Sequence, residues 1–373
     1  MTRASQPPIR VRHLPSSPRW REKIIYISKL TEELENQGIQ VDYAADKNGD
    51  YLTRDLLNMS INRRPDILHF HWTAYQYEGG STISTFLSLM KFMAKVGRAK
   101  AKGFKIVWTM HNYLPHEGHA VWVHYLERFW MARQADAIIV HASQGQELLA
   151  RRFFRTKDVY VIPHGNYIPF FTRTPPLAAK QLLGIENHRP LLLYFGFIRP
   201  YKGVPELLRA FKELPDLNMD VHVVGNAGEA ASQEINTLAT HDPRIHTKLK
   251  YVPDEELTLY LCAADAVILP YRDILGSGAL MTALSLGCPV IAPSIGAFAE
   301  LLDESCGYLY KPGTEGLKKA LLQIPNLDLA RMSVHALEHA KRYPWQGMVR
   351  QIANIYNNIA CEHDFDTWVN NID

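Results

Sequence analysis

The chain has 373 residues, 47% of them apolar and 21% charged, with a formal net charge of +3. That length exceeds what one hydrophobic core usually supports, so two domains are expected, and the composition excludes a disordered or fibrous protein. The small net charge excludes broad nucleic-acid binding unless basic residues gather into one patch, and no run of about 18 apolar residues offers a membrane span.

The N-terminal stretch MTRASQPPIRVRHLPSSPRW lacks the apolar run of a signal peptide. The four cysteines, Cys262, Cys288, Cys306 and Cys361, show no zinc-knuckle spacing. A reduced, cytoplasmic protein is expected, peripheral on the inner face of the cytoplasmic membrane if a membrane is involved. Strand-like IRVRHL, IQVDYA, DILHFHW, KIVWTMH, ADAIIVHA and DVYVIPH then alternate with helix-length segments, beginning with EKIIYISKLTEELENQG. That alternation predicts a parallel sheet covered on both faces.

Within this half, TISTFLSLMKFMAKVGRAKAKG reads as a basic amphipathic helix over 85–102. At about 100° per residue, Phe86, Leu87, Leu89, Met90, Phe92, Met93 and Val96 share one arc, and Lys91, Lys95, Arg98 and Lys102 the other. Lys100 breaks the pattern. Two readings stand: a crossover helix packed on the sheet, and a face that meets anionic lipid headgroups. Both hold together if the apolar arc packs inward. HFHW and MHNYLPHEGH follow strands, which places His69, His71, Trp72, His111, His116, Glu117 and His119 at the carboxyl end of the sheet. A His there is either a hydrogen-bonded structural residue or part of a site. Metal binding by this histidine cluster is a further option, although its spacing matches no standard zinc pattern, and no metal is assigned.

Residues 163–190 hold five of the 22 prolines and interrupt the alternation. It resumes with PLLLYFGF, MDVHVVG, IHTKLKYV, DAVILPY and CPVIAPS, with helices expected at 204–214, 254–263 and 279–287. In YFGFIRPYKGV, Gly196 permits a tight turn, and Arg199 and Lys202 stand just before a helix N-terminus. Backbone N–H groups, a positive helix end and two cations suit a diphosphate; a solvated basic loop is the plainer reading. A second glycine turn, Gly276-Ser277-Gly278-Ala279, precedes another helix in the same sheet. Two such sites together point to a nucleotide diphosphate.

The order FGFIRPYKGV, VVGNAG, YVPDEELTLYLCAADAVILP and SGALMTALSLGCPVIAPSIGAFAEL resembles the GT-B nucleotide-sugar-dependent glycosyltransferases. The resemblance implies two Rossmann-like parallel-sheet domains facing an interdomain cleft: residues 1–168 for the acceptor, a linker 169–186, residues 187–342 for the nucleotide sugar, and a returning helix 343–373. It assigns the donor diphosphate to Arg199 and Lys202, backbone amides to Gly278 and Ala279, and the base to Tyr251 and Val252. Gly196, Arg272, Ser277 and Leu280 complete the donor side, and His71 and Trp72 the acceptor or sugar side. Arg272 reads equally as a partner of Asp265 or Asp273.

Retaining members of the large bacterial group carry a Glu, seven residues and a Glu across this turn, where this chain has Ile274 and Thr282. The wording WTMHNYLPHEG with PYRDILGSGALMTALSLGCPVIAP is more similar to polysaccharide-assembly enzymes that move mannose from GDP-mannose to a lipid-linked saccharide with inversion. No metal or other cofactor is then required, since helix ends and cations stabilise the leaving diphosphate. Glu117 is the expected general base, with His116 and His119 behind it and His111 beside the donor sugar. A UDP-sugar transferase, an epimerase or phosphorylase on the same fold, and a non-catalytic nucleotide-sugar binder are the alternatives.

Overall fold

The computed structural model describes residues 8–14, 24–42, 52, 54–60, 64–114, 120–186 and 188–369. The chain divides into two compact units, Met1–Pro163 with Trp345–Asp373, and His164–Pro344.

The first unit holds strands β1 (Arg10–Leu14), β2 (Gln40–Asp42), β3 (Ile67–Phe70), β4 (Lys105–Thr109), β5 (Ala137–Val140) and β6 (Val159–Val161). All are parallel, in the order β2-β1-β3-β4-β5-β6. β3 and β5, ILHF and AIIV, are buried at every position, as strands covered on both faces must be. The crossovers carry α1 (Ile25–Asn36), α2 (Arg54–Asn58), α3 (Thr82–Ala101), α4 (Val121–Gln134) and α5 (Ser143–Phe153). The chain reverses its direction of growth between β1 and β3, and that switch point opens a crevice at the carboxyl ends of the strands.

α3 begins three residues before the predicted helix because Ser81 and Ser84 close a reciprocal cap. Its packed face is Thr85, Leu89, Phe92, Val96 and Ala99. Leu87, predicted on the apolar arc, is 55% exposed, because it stands two residues, about 200° of helical turn, from Leu89. Lys102, predicted on the free basic face, instead donates to the Leu57 carbonyl at 2.5 Å and to Asn58 Oδ1 at 3.1 Å. Lys100 bonds the Gln134 carbonyl and Asp136.

The second unit holds β7 (Leu191–Phe195), β8 (Asp220–Val224), β9 (Ile245–Lys248), β10 (Ala266–Ile268), β11 (Val290–Pro293) and β12 (Gly307–Tyr310), again all parallel, in the order β12-β11-β10-β7-β8-β9. Its helices are α6 (Pro176–Leu183), α7 (Val204–Lys212), α8 (Glu229–Ala239), α9 (Asp254–Ala263), α10 (Gly278–Ser285), α11 (Gly296–Leu301), α12 (Thr314–Gln323) and α13 (Leu329–Lys341). The switch point lies between β7 and β10. α7 shows why these helices hold: Val204, Leu207, Leu208 and Phe211 are fully buried on one side, each such side chain contributing about 1.5–3 kcal/mol.

The last helix, α14 (Trp345–Val369), completes the first unit's core. Trp345 and Tyr356 are buried, Trp345 meets the Tyr26 ring at 5.7 Å, and Gln346 donates to Glu33 of α1 at 3.3 Å.

Candidate functional site

In the second unit the loops after β7 and β10 meet at the switch point. Gly196 leaves β7 with φ +100°. Gly203, capping α7, has φ +68°, and a Cβ there would sit 2.1 Å from the Pro270 carbonyl oxygen. Only glycine lets the Lys202 loop approach the end of β10 so closely. Gly225, after β8, is equally constrained, its Cβ position lying 1.9 Å from the Gly196 carbonyl oxygen. The two glycines Gly203 and Gly225 thus set the depth of the loop that carries Arg199 and Lys202.

The Lys202 ammonium lies 5.1 Å from the Tyr271 ring centre and 6.0 Å from that of Tyr201. Burial, and then the charge of Arg199, push it down to about 8. An anion placed beside it would restore the cation, so the loop is poised for negative charge. Arg199 sits extended at the start of the turn Pro200–Lys202, its guanidinium 5.8 Å from the exposed Phe197 ring.

Arg272 is paired with neither Asp265 nor Asp273. Its guanidinium forms an ion pair with Glu206 of α7, and its backbone N–H donates to the Tyr201 carbonyl at 2.7 Å. Asp265 is occupied by the Leu191 N–H at 2.7 Å and by Lys180 at 3.2 Å. The α7 partner was hidden because it lies 66 residues away in sequence.

α10 opens on Ser277, whose Oγ accepts from the Leu280 N–H at 3.0 Å. That bond occupies the Leu280 amide and leaves those of Gly278 and Ala279 leading the helix. Ile274 is buried, and Thr282 Oγ1 donates to the Gly278 carbonyl at 2.8 Å within α10. Neither position offers a charge. Val252 is buried and Tyr251 is 69% exposed. Beside Gly278 stand two residues the sequence reading passed over: its Cβ position lies 3.7 Å from Tyr167 Oη and 4.0 Å from His164 Nε2. His164 Nδ1–H donates to the Gly165 carbonyl, so its Nε2 accepts from Tyr167 Oη–H at 3.2 Å.

In the first unit four histidines stand at the strand ends in a line. His13 Nδ1 is 2.7 Å from His71 Nε2, His71 Nδ1 is 3.3 Å from His111 Nε2, and His111 Nδ1 is 3.2 Å from His141 Nε2. His141 Nδ1 is 2.9 Å from the Ile162 carbonyl oxygen. His69 lies beside the line, bonded to Tyr356 Oη at 2.5 Å and Thr109 Oγ1 at 2.7 Å. Burial holds His69, His71 and His141 below the usual histidine range and takes His13 down to about 3. Trp72 stacks face to face on His111 with ring centres 4.6 Å apart.

Of the sequence-stated site residues, the structure brings His71, Trp72 and His111 together. Glu117, His116 and His119 lie outside the described residues. His13 and His141 were missed, although the signal is present: RHL, HFH, MHN and VHA each put a His where a strand ends. His13, His69 and His71 also bring ring nitrogens within 4.8 Å of one another, but both nitrogens of His69 and of His71 already have hydrogen-bond partners.

A family described as "Glycosyl transferases group 1" matches residues 189–326. Two relatives from Xanthomonas campestris pv. campestris are named GDP-mannose:glycolipid 4-beta-D-mannosyltransferase. One is 29% identical over 249 residues, 65% of this chain and 65% of its own length. The other is 30% identical over 279 residues, 72% of each chain. Among solved structures, sucrose-phosphate synthase from Thermosynechococcus elongatus superposes with a TM-score of 0.72 at 17% identity, covering 96% of this chain and all of that one. The fold is GT-B.

Proposed function

The chain belongs to the group 1 glycosyltransferases, and we propose that it transfers mannose from GDP-mannose to a lipid-linked saccharide, with inversion and without a metal. The observation that carries the reading is the pair of anion-ready helix entries at one switch point: the Arg199–Lys202 loop before α7 and the Gly278–Ala279 amides of α10. A nucleoside diphosphate supplies two adjacent phosphates for two such entries. The mannose donor is favoured by the two relatives named for it.

In this reading, Lys202, Arg199 and the α10 amides stabilise charge on the leaving diphosphate as the sugar bond breaks. Inversion is favoured because Ile274 and Thr282 stand where retaining relatives carry carboxylates. The acceptor hydroxyl must lose its proton as it attacks, and Glu117 is assigned to take it, with His116 and His119 as the alternatives. Trp72 and His71 are assigned to the acceptor or sugar side, and His111 to the donor sugar.

Thermal unfolding with GDP, UDP, ADP, dTDP and CMP in parallel, with and without EDTA, tests the donor. A ligand at about 100 times its Kd adds roughly 2.7 kcal/mol to the folded state. A selective, EDTA-insensitive shift with GDP is expected. A shift with UDP alone overturns the sugar, and no shift with any nucleotide overturns the diphosphate site. The anomeric configuration of the product, read by NMR, decides inversion.

The membrane-facing part of the proposal rests on α3. Among the described residues no helix is long and apolar enough to cross a membrane. Lys91 and Arg98 are exposed on α3 together with Ile83 and Leu87, a mixed face that suits anionic headgroups.

A further inference from the structure

The four-histidine line has a direction. A carbonyl oxygen only accepts, so His141 carries its proton on Nδ1 to reach Ile162. Its Nε2 is then a lone pair and accepts from His111 Nδ1–H. The same logic makes His111 Nε2 accept from His71 Nδ1–H, and His71 Nε2 accept from His13 Nδ1–H. The line ends on His13 Nε2, a buried atom without a hydrogen-bond partner among the described residues.

We propose that His13, His71 and His141 are positioning residues that hold His111 as a neutral Nδ1–H tautomer, in a line whose sense is set at Ile162 and whose one open proton acceptor is His13 Nε2. Its bearing on catalysis rests on the proposed function, which assigns His111 to the donor sugar. Both nitrogens of His111 are engaged in the line, so His111 is not the base. The acceptor's proton goes elsewhere.

Proton uptake follows the same order. A hydronium O–H bond breaks, leaving water, as its proton bonds to His13 Nε2; the His13 Nδ1–H bond breaks as its proton joins His71 Nε2; and the His71 Nδ1–H bond breaks as its proton joins His111 Nε2. His111 then carries both protons and the positive charge, while His13 and His71 have become Nε2–H tautomers. Charge costs least at His111, which is half-buried, whereas His13, His71 and His141 are 0%, 2% and 4% exposed. Among the described residues, the titratable groups facing the line are His69 of β3, Tyr26 of α1, whose ring edges His71, His111 and His141 at 5.8, 5.1 and 5.9 Å, and Tyr356 of α14, which reaches it through His69.

The test is a side-chain nitrogen–proton correlation map of the ¹⁵N-labelled full chain, recorded with neither donor nor acceptor. Its failure is therefore separable from failure of the transferase reading, which nucleotide binding decides. The Nδ1–H pattern is expected at His13, His71, His111 and His141; an Nε2–H pattern at any of them overturns the proposal. The two ends of the line must also respond differently. His141→Leu removes the anchor and releases His71 and His111 into mixed tautomers, whereas His13→Leu leaves both as Nδ1–H. Equal responses, or none, sink the directed line, and the wild-type map decides the matter even if a variant fails to fold. Added Zn²⁺ is expected to leave the four signals in place. A saturable shift of His13, His69 and His71 would assign the cluster to a metal and overturn the relay.

Discussion

The ammonium of Lys202 lies 5.1 Å from the centre of the Tyr271 ring, so the loop after β7 faces the chain leaving β10 across the switch point. Burial makes this lysine lose its proton near pH 8. Nucleoside diphosphate binding is therefore expected to weaken as pH rises through about 8, toward tenfold per pH unit, in calorimetric titrations from acid to alkaline buffer. Lys202→Arg removes that dependence, because a guanidinium stays charged. Lys202→Ala weakens binding about 10- to 100-fold, as loss of a hydrogen bond to a charged group costs about 1.5–3 kcal/mol. Stability runs the other way. The folded state binds fewer protons than the unfolded one between about 8 and the ordinary 10.5, so this lysine makes stability rise with pH across that window. A flat binding profile in the wild type would remove Lys202 from the donor site.

Arg272 is held by Glu206, and the competition this creates is measurable. Both side chains are partly exposed, so the pair contributes about 0–1 kcal/mol to stability. Arg272→Ala should leave nucleotide affinity within about threefold of wild type, while Glu206→Gln releases the guanidinium and tightens diphosphate binding. An Arg272→Ala loss as large as that of Lys202→Ala would mean that Arg272 leaves Glu206 for the ligand.

The strand framework was legible because both sheets are parallel and buried on both faces, which writes continuous apolar runs such as LLLYF and AIIV into the chain. The positions of the proposed diphosphate loops were legible for a related reason: Gly196 and Lys202 stand between β7 and α7, and Gly278 opens α10 after β10. What could not be read was pairing at long range. Glu206 meets Arg272, Tyr356 meets His69, and His13 meets His71 only once the strands are ordered β2-β1-β3 and α14 has docked. Periodicity also misplaced Leu87, since an arc stretched to take it in overruns the packed face of α3.

Gly203 is the backbone counterpart of Lys202. Its φ of +68° and the 2.1 Å approach of the Pro270 carbonyl to its Cβ position exclude a side chain on both grounds. Gly203→Ala is expected to cost more than about 2 kcal/mol in urea unfolding, beyond the usual range of surface changes. The same variant should lose nucleotide binding under conditions where it remains folded, because the loop must withdraw from β10. A cost within about 0.5 kcal/mol would show that the two loops are not held by this contact.

If α3 meets a membrane as proposed, its exposed face separates electrostatic from apolar contributions to binding. Lys91 and Arg98 are exposed, and each basic residue near an anionic surface contributes about 1 kcal/mol. Lys91→Ala with Arg98→Ala should therefore lower partitioning onto phosphatidylserine-containing vesicles about 30-fold in a sedimentation assay, and salt should mimic the loss. Trp122, 55% exposed and 5.3 Å from the Phe86 ring, extends the face; Trp122→Ala should weaken binding equally at low and high salt. Lys102→Ala is the internal control. Its ammonium is spent on the Leu57 carbonyl and Asn58, so its removal should leave partitioning unchanged while lowering stability. If Lys102→Ala reduces binding as much as Lys91→Ala, net charge and not this face drives adsorption, and the oriented contact of α3 with lipid is wrong.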